Sequence, residues 1–363
     1  EYVDFENVEV APSKGNFSRQ INPNDVPYTY GEMYKEDAFY PAQQVTLGNP
    51  YILRDFRGQN MMVYPYAYNP VTKTLRVYTY LRIEAKKISD NGVNPKLNRK
   101  RSNVVDSEVN ASYKRRFINY PANERYTFIE DEGEMLIVCA DKYLEAVQPL
   151  VEWKNISGRP TTIVGVSNTG GDLKTYIQKY YEEHPELVFL LIVGEHVDIP
   201  PYSMSGGKSD NYFGMLEGDD FYEEVFVGRL SVKNDEDVKN QINKIIYYER
   251  DIDETASWLS NGAGVAAKEG RGHYNEYDYV HVDYIRDTLL NYTYTDISQH
   301  YDKVNEPTLN DLISRFNEGV GIINYCNHGT IDGWRVTGFN NDNVHQLTND
   351  YKLPFIWSVA CDN

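Results

Sequence analysis

The stretch Gly321–Asn363 reads GIINYCNHGTIDGWRVTGFNNDNVHQLTNDYKLPFIWSVACDN. Two apolar runs frame it. One, Val320–Tyr325, leads into Asn327-His328-Gly329; the other, Leu353–Ala360, ends at Cys361. Both are short, bounded by turn residues and rich in β-branched and aromatic side chains, the pattern of buried parallel strands. In open α/β sheets chemistry sits just beyond the carboxyl ends of strands. His328 and Cys361 are 361 − 328 = 33 positions apart, and at two such ends they are expected to meet. A cysteine nucleophile needs a nearby imidazole to raise its thiolate fraction and to protonate the leaving amine. A cysteine that closes an apolar strand is more ordinarily an inert core residue.

The same residues resemble the gingipains, secreted cysteine peptidases of the caspase-like clan. The matched pattern is a strand, His328-Gly329, the pair Gly333-Trp334, the turn Leu347-Thr348-Asn349, then Leu353-Pro354-Phe355-Ile356 and the strand end Val359-Ala360-Cys361. It is closer to the arginine-specific members than to the lysine-specific ones. The resemblance implies Cys361 as nucleophile and His328 as general base, with the backbone N–H groups of Gly329 and Cys361 as oxyanion hole. It also implies that Glu276-Tyr277-Asp278-Tyr279-Val280-His281 supplies Asp278 as the carboxylate at the base of an arginine pocket, with Val359, Cys326 and Asn327 near its wall. Two departures stand out. Cys326-Asn327 occupies a place where small or hydroxyl-bearing residues are usual. Asp362 follows the nucleophile where an apolar residue is usual, and a carboxylate beside a thiol opposes thiolate formation.

With 363 residues the chain is long enough for two or three domains and a substantial core. A formal net charge of −18 argues against a nucleic-acid footprint. Three cysteines exclude a fully paired disulfide framework, and Cys139 and Cys326 lie in apolar strand-like runs that read as core. No apolar run reaches the length of a membrane span. Glu1 reads as a start left by removal of an upstream segment. A chain stopping two residues after Cys361 reads as one piece of a longer product.

Taken in order, residues 1 to about 85 read as all-β, with a hairpin formed by Met62–Tyr68 and Thr74–Ile83 around Asn69-Pro70. Residues 86–125 carry Lys86-Lys87, Lys96, Arg99-Lys100-Arg101 and Lys114-Arg115-Arg116 without a period, and read as a solvated basic linker. From Glu134 strands alternate with helices in a doubly wound pattern: Met135–Ala140, a helix over Asp141–Ser157, Thr161–Val164, a helix to His184, and the apolar run Leu187–Val193. His196 follows that last strand and is a second dyad candidate, but no cysteine close behind it ends a strand, so it reads as structural or as a neighbour of a cation site. The acidic cluster Glu217, Asp219, Asp220, Glu223 and Glu224 reads as a solvated loop that fits no EF-hand, although oxygen ligands of this kind suit Ca²⁺. A long helix over Asp235–Asp253 leads to a second α/β unit, opening with the strand Gly262–Ala267 and Glu269 just beyond its end. A carboxylate there suits the third member of a triad, orienting the imidazole.

The expectation is therefore a secreted or cell-surface cysteine endopeptidase precursor of α/β fold. A β-rich inhibitory prodomain with a basic linker (1–125) precedes two caspase-like parallel-sheet subdomains (126–258 and 259–363). The resemblance places processing at Arg125-Tyr126, and Arg19, Arg54 and Arg57 are alternatives for a pocket-blocking residue. Expected partners are protein and peptide substrates with basic residues and the chain's own prodomain. No cofactor is required for the chemistry; structural Ca²⁺ is implied by the resemblance alone, with no ligand set. Two rivals remain: a catalytically inactive surface module of the same fold, and a sorting transpeptidase of the same clan.

Overall fold

Tyr2–Phe5 (β1), Tyr66–Asn69 (β4) and Thr74–Tyr78 (β5) form an antiparallel sheet in the order β1-β5-β4, while Val45–Leu53 (β2) pairs antiparallel with Phe56–Val63 (β3). The expected hairpin is present as β4–β5, with Tyr66 opposite Val77 and Asn69 opposite Thr74. Its turn is held by Asn69 Oδ1, which accepts from the N–H of Val71 and of Thr72. The run Met62–Tyr68 is not one strand, however. It breaks at Tyr64-Pro65, where proline has no N–H for the ladder, and Met62 and Val63 belong to β3 in the other sheet.

This computed structural model describes all residues except 19–20, 87, 89–91, 97–103, 121–128, 205–206, 254, 271, 273 and 362–363. The chain divides into two compact units, Glu1–Glu9 with Glu36–Arg250, and Val10–Lys35 with Asp251–Asn363.

In the first unit the supposed linker contains a helix, Ser107–Arg116 (α1). Asp106 explains it. One carboxylate oxygen caps the helix by accepting from Glu108 N, and the other accepts from Gly133 N and the Arg159 guanidinium. Val109 and Tyr113, four apart, then face inward with Tyr51, Leu53, Val105 and Val188, while Lys114, Arg115 and Arg116 fall in the last turn, where the helix dipole favours cations.

The α/β part of this unit is a four-stranded all-parallel sheet. Its strands are Glu134–Cys139 (β6), Thr161–Gly165 (β7), Leu187–Val193 (β8) and Phe226–Leu230 (β9), in the order β9-β8-β6-β7. Side chains alternate across it. Leu136 and Val138 meet Ile177 and Tyr181 of the helix Leu173–Glu183 (α3) on one face. Ile137 and Cys139 meet Val147 and Leu150 of the helix Leu144–Ile156 (α2), and Val238, Ile242 and Ile246 of the helix Asp235–Ile246 (α4), on the other. Burial pushes the Cys139 thiol up to about 12, so it is a core residue, as its run implied.

Arg54 corrects an expectation. Far from being free to block a pocket, it is buried inside this unit. Its Nη1 donates to Leu187 O at 2.6 Å and to Glu224 O, and its Nη2 to Pro185 O at 3.4 Å. Glu224 is itself buried. Burial pushes its carboxyl up to about 7, against the pull of the N–H groups of Glu217, Leu216 and Arg54. Arg57 is likewise engaged, donating to Asn94 O and Val93 O at 2.8 and 2.9 Å. Arg19 lies outside the described residues. Arg54→Met keeps the stem but strands these carbonyls. It is expected to cost the full-length protein about 3–5 kcal/mol, read as a lower urea midpoint; a loss below about 1 kcal/mol would show the cluster to be dispensable.

The second unit has its own all-parallel sheet: Asn261–Ala267 (β10), Asp296–Asp302 (β11), Ile322–Cys326 (β12) and Phe355–Val359 (β13), in the order β11-β10-β12-β13. The small residues of β10 let the helix Asp278–Leu290 (α5) sit close: a Cβ at Gly264 would come within 2.8 Å of Val282 and 3.0 Å of the Tyr301 hydroxyl. On the other face Ala263, Val265 and Ile323 pack on Leu312 and Phe316 of the helix Leu309–Glu318, which Thr308 and Asp311 cap reciprocally. β13 pairs with β12 as expected but is not buried. Among the described residues it stands last in the sheet order, with all five of its side chains exposed.

Candidate active site

The carboxyl edge of the second sheet gathers most of the singled-out residues. Every pair between β12 and β13, from Ile322–Phe355 to Cys326–Val359, keeps an offset of 33. His328 and Cys361 each follow two residues beyond the last pair, Cys326–Val359, at the same carboxyl edge of the sheet. On the other side Ala266 of β10 pairs with Cys326, so Glu269 leaves the sheet at the same edge as the His328-Gly329 pair.

His328 is held through its backbone. The buried Tyr325 hydroxyl and the Arg335 N–H both donate to His328 O. Tyr325 stacks on Trp334 with ring centroids 4.5 Å apart, and Trp334 Nε1 donates to Ser358 Oγ on β13 at 3.0 Å. A two-residue ladder, Gly329 opposite Trp334 and Thr330 opposite Gly333, closes the turn after the histidine. This brace of Tyr325, Trp334 and Ser358 was missed in the sequence. Only Trp334 was singled out, as part of a pattern, and nothing local links it to Ser358.

The His328 side chain and Cys361 are both exposed. The structure does not bring Glu269 into hydrogen-bond contact with His328. The Glu269 carboxylate instead lies 3.7 Å from Lys303 Nζ, and its carbonyl accepts from Asp278 N at 3.0 Å.

Asp278 is the first residue of α5, after Tyr277 as N-cap, and is only 4% exposed. A carboxylate at a helix N-terminus is stabilised by the dipole, yet Asp278 also reaches across to the strand end. Asn327 Nδ2 donates to Asp278 Oδ2 at 3.1 Å, while Asn327 Oδ1 is buried without a hydrogen-bond partner among the described residues. Such an orphan costs about 1–3 kcal/mol. Glu276 is engaged locally, accepting from Tyr274 N at 2.7 Å, and its carboxylate lies 3.9 Å from His281 Nδ1. Cys326 is half-buried beside Val282 and Tyr301, and Val359, level with it, is exposed. Arg125, Tyr126 and Asp362 lie outside the described residues.

The acidic loop of the first unit is not merely solvated, as its composition suggested. Asp220 accepts from Ile52 N and Asn94 Nδ2, Glu223 from Asn211 Nδ2, and Glu224 from Leu216 N and Glu217 N. Among the described residues no three His, Cys, Asp or Glu side chains gather as a metal set. His196 is exposed beside Glu195.

A model of peptidase family C25 matches residues 129–363, and a C25 propeptide model matches residues 1–128. The chain belongs to peptidase family C25. All of this C25 chain aligns at 38% identity with Gingipain R2 of Porphyromonas gingivalis, covering 50% of that protein, and with Gingipain R1 of the same species, covering 37%. The chain thus spans half or less of the length of these relatives. Lys-gingipain is more distant, at 25% identity over 97% of the chain. The solved structure of the Arg-specific cysteine proteinase gingipain R superposes with a TM-score of 0.61 at 36% identity, covering 64% of this chain and 55% of that one. The complex of the pro- and mature domains of Porphyromonas gingivalis RgpB gives 0.60 at 36% identity, covering 63% and 56%. With the two parallel sheets, these neighbours establish the caspase-like α/β fold. Cysteine-peptidase chemistry of this family needs no cofactor.

The family division also explains Arg54. It belongs to the C25 propeptide match, whereas Leu187, Pro185 and Glu224 belong to the peptidase match. Tyr51 stacked 4.1 Å from Tyr222 and Asp106 bound to Gly133 and Arg159 join the same two segments. The chain's own propeptide is a partner of its peptidase part. No helix among the described residues is long and apolar enough to cross a membrane.

Proposed function

We propose that the chain is the precursor part of a secreted or cell-surface cysteine endopeptidase that cleaves after basic residues, preferably arginine. What supports this most is that β12 and β13 pair in parallel up to Cys326–Val359, so that His328 and Cys361 each follow a strand end at one sheet edge, in a chain 38% identical throughout to Gingipain R2. In this reading Cys361 Sγ attacks the peptide carbonyl, forming a C–S bond, while the N–H groups of Gly329 and Cys361 donate to the developing oxyanion. His328 gives the proton it took from the thiol to the leaving amine as the C–N bond breaks. It then takes one from the water that hydrolyses the thioester, and the C–S bond breaks.

Glu269 positions the imidazole. In the zymogen its carboxylate faces Lys303, so this role requires the carboxylate to turn from that lysine to His328. Asp278 meets the P1 guanidinium, and Val359, Cys326 and Asn327 form the neighbouring wall. Residues 1–125 act as the inhibitory prodomain, parted at Arg125-Tyr126. Structural calcium belongs to this reading only as an ion bound away from Asp220, Glu223 and Glu224, whose carboxylates already accept hydrogen bonds.

The test compares kcat/KM for peptidyl amides with Arg, Lys and Leu at P1 and identifies the products. Arg is expected to exceed Leu by about two decades or more, with free carboxylates released. New amide-linked products would mark a transpeptidase, and no turnover an inactive module; either would overturn the proposal.

A further inference from the structure

Asn327 sits one residue before His328, and the two ends of its carboxamide differ in company. Nδ2 donates to Asp278 Oδ2, while Oδ1 is buried with no donor to it among the described residues. The orientation is not arbitrary. Turning the amide over would set a carbonyl oxygen against an ionised carboxylate, so the donor must face Asp278 and the acceptor must face away. A buried acceptor without a donor calls for an explanation, and at a binding site the missing donor arrives with the ligand.

The ligand chemistry follows from the neighbours. Asp278 provides a carboxylate already steadied by one amide N–H. Asn327 Oδ1 adds a neutral acceptor attached to the same pair. A guanidinium carries five N–H donors in a rigid planar fork, more than one carboxylate edge takes up, whereas an ammonium concentrates three donors on one atom. We propose that Asn327 is a specificity-determining residue, whose Oδ1 accepts a guanidinium N–H of P1 arginine while its Nδ2 orients the Asp278 carboxylate. This rests on Asp278 being the base of the pocket and adds to it the part that separates arginine from lysine. Asp278 supplies charge, which both basic side chains use. Asn327 supplies an acceptor placed for the fork.

The test measures kcat/KM for Arg, Lys and Leu at P1 with the full-length protein, in Asn327→Leu, which keeps volume, and in Asn327→Gly, which removes the side chain without adding bulk. Inhibition by butylguanidinium and by butylammonium is measured on the same proteins. Loss of a hydrogen bond to a charged group is expected to lower the Arg-to-Lys ratio about 10- to 100-fold and to weaken butylguanidinium more than butylammonium. Equal losses on Arg, Lys and Leu would show a structural role and overturn the proposal, as would an unchanged Arg-to-Lys ratio in both variants. Asp278→Asn separates the two readings. If it leaves basic substrates untouched, the pocket assignment itself fails. If it weakens Arg and Lys together while the Asn327 variants leave their ratio alone, only the role of Asn327 fails.

Discussion

Cys361→Ala is expected to lower kcat on an arginyl amide by about six decades, with stability within about 0.5 kcal/mol of the parent. The two halves of this expectation have separate causes. Activity falls because the proposed thioester forms on the Cys361 thiol. Stability holds because Cys361 is exposed, so its side chain contributes little packing. The other cysteines are the controls. Cys139 is buried in the first sheet with its thiol pushed up to about 12, so Cys139→Ala should lower stability and leave turnover measurable. Cys326 is half-buried beside Val282, and Cys326→Ala should also keep turnover. Rates on an arginyl amide, with thermal midpoints for each variant, decide the matter. Retained activity in Cys361→Ala would refute the mechanism.

The second large effect is on specificity. An arginine side chain entering a closed pocket loses hydration, and only a well-placed carboxylate offsets that loss. Asp278 is 4% exposed at the start of α5, with Asn327 Nδ2 fixing one oxygen. In Asp278→Asn a desolvated guanidinium lacks its counter-charge. The expected cost is roughly 3–5 kcal/mol, or about two to three and a half decades in kcat/KM for Arg substrates. A Leu substrate never used the charge and should scarcely change. If Asp278 served only the helix dipole, the substitution would cost about 0.3–1 kcal/mol of stability and no selectivity. Rates for Arg, Lys and Leu in parent and variant separate the two; equal losses on all three would exclude Asp278 as the specificity residue.

Much of this was legible because the decisive patterns are local. The apolar runs that became β8, β10 and β12 carry their own strand signal, whereas the register that pairs β12 with β13 comes from the structure. Asp278 at a helix start was readable from the residues around it. What was not legible depended on distant partners. The helix Ser107–Arg116 has only Val109 and Tyr113 on its buried face, too few to show a period, and exists through packing and the Asp106 cap. Arg54 stood among the alternatives for a pocket-blocking residue because its acceptors, Leu187 O and Glu224 O, lie 133 and 170 residues away. The Tyr325–Trp334–Ser358 brace joins three elements that only the fold brings together.

The most direct test of the central claim is covalent. A peptide electrophile with arginine at P1 is reacted with the full-length protein, and the adduct is mapped by mass spectrometry. The expected result is one adduct, on Cys361, absent in Cys361→Ala and formed far more slowly in Asp278→Asn or with leucine at P1. Labelling of Cys326 or Cys139 instead, no labelling at all, or equal rates for the arginyl and leucyl reagents would contradict it.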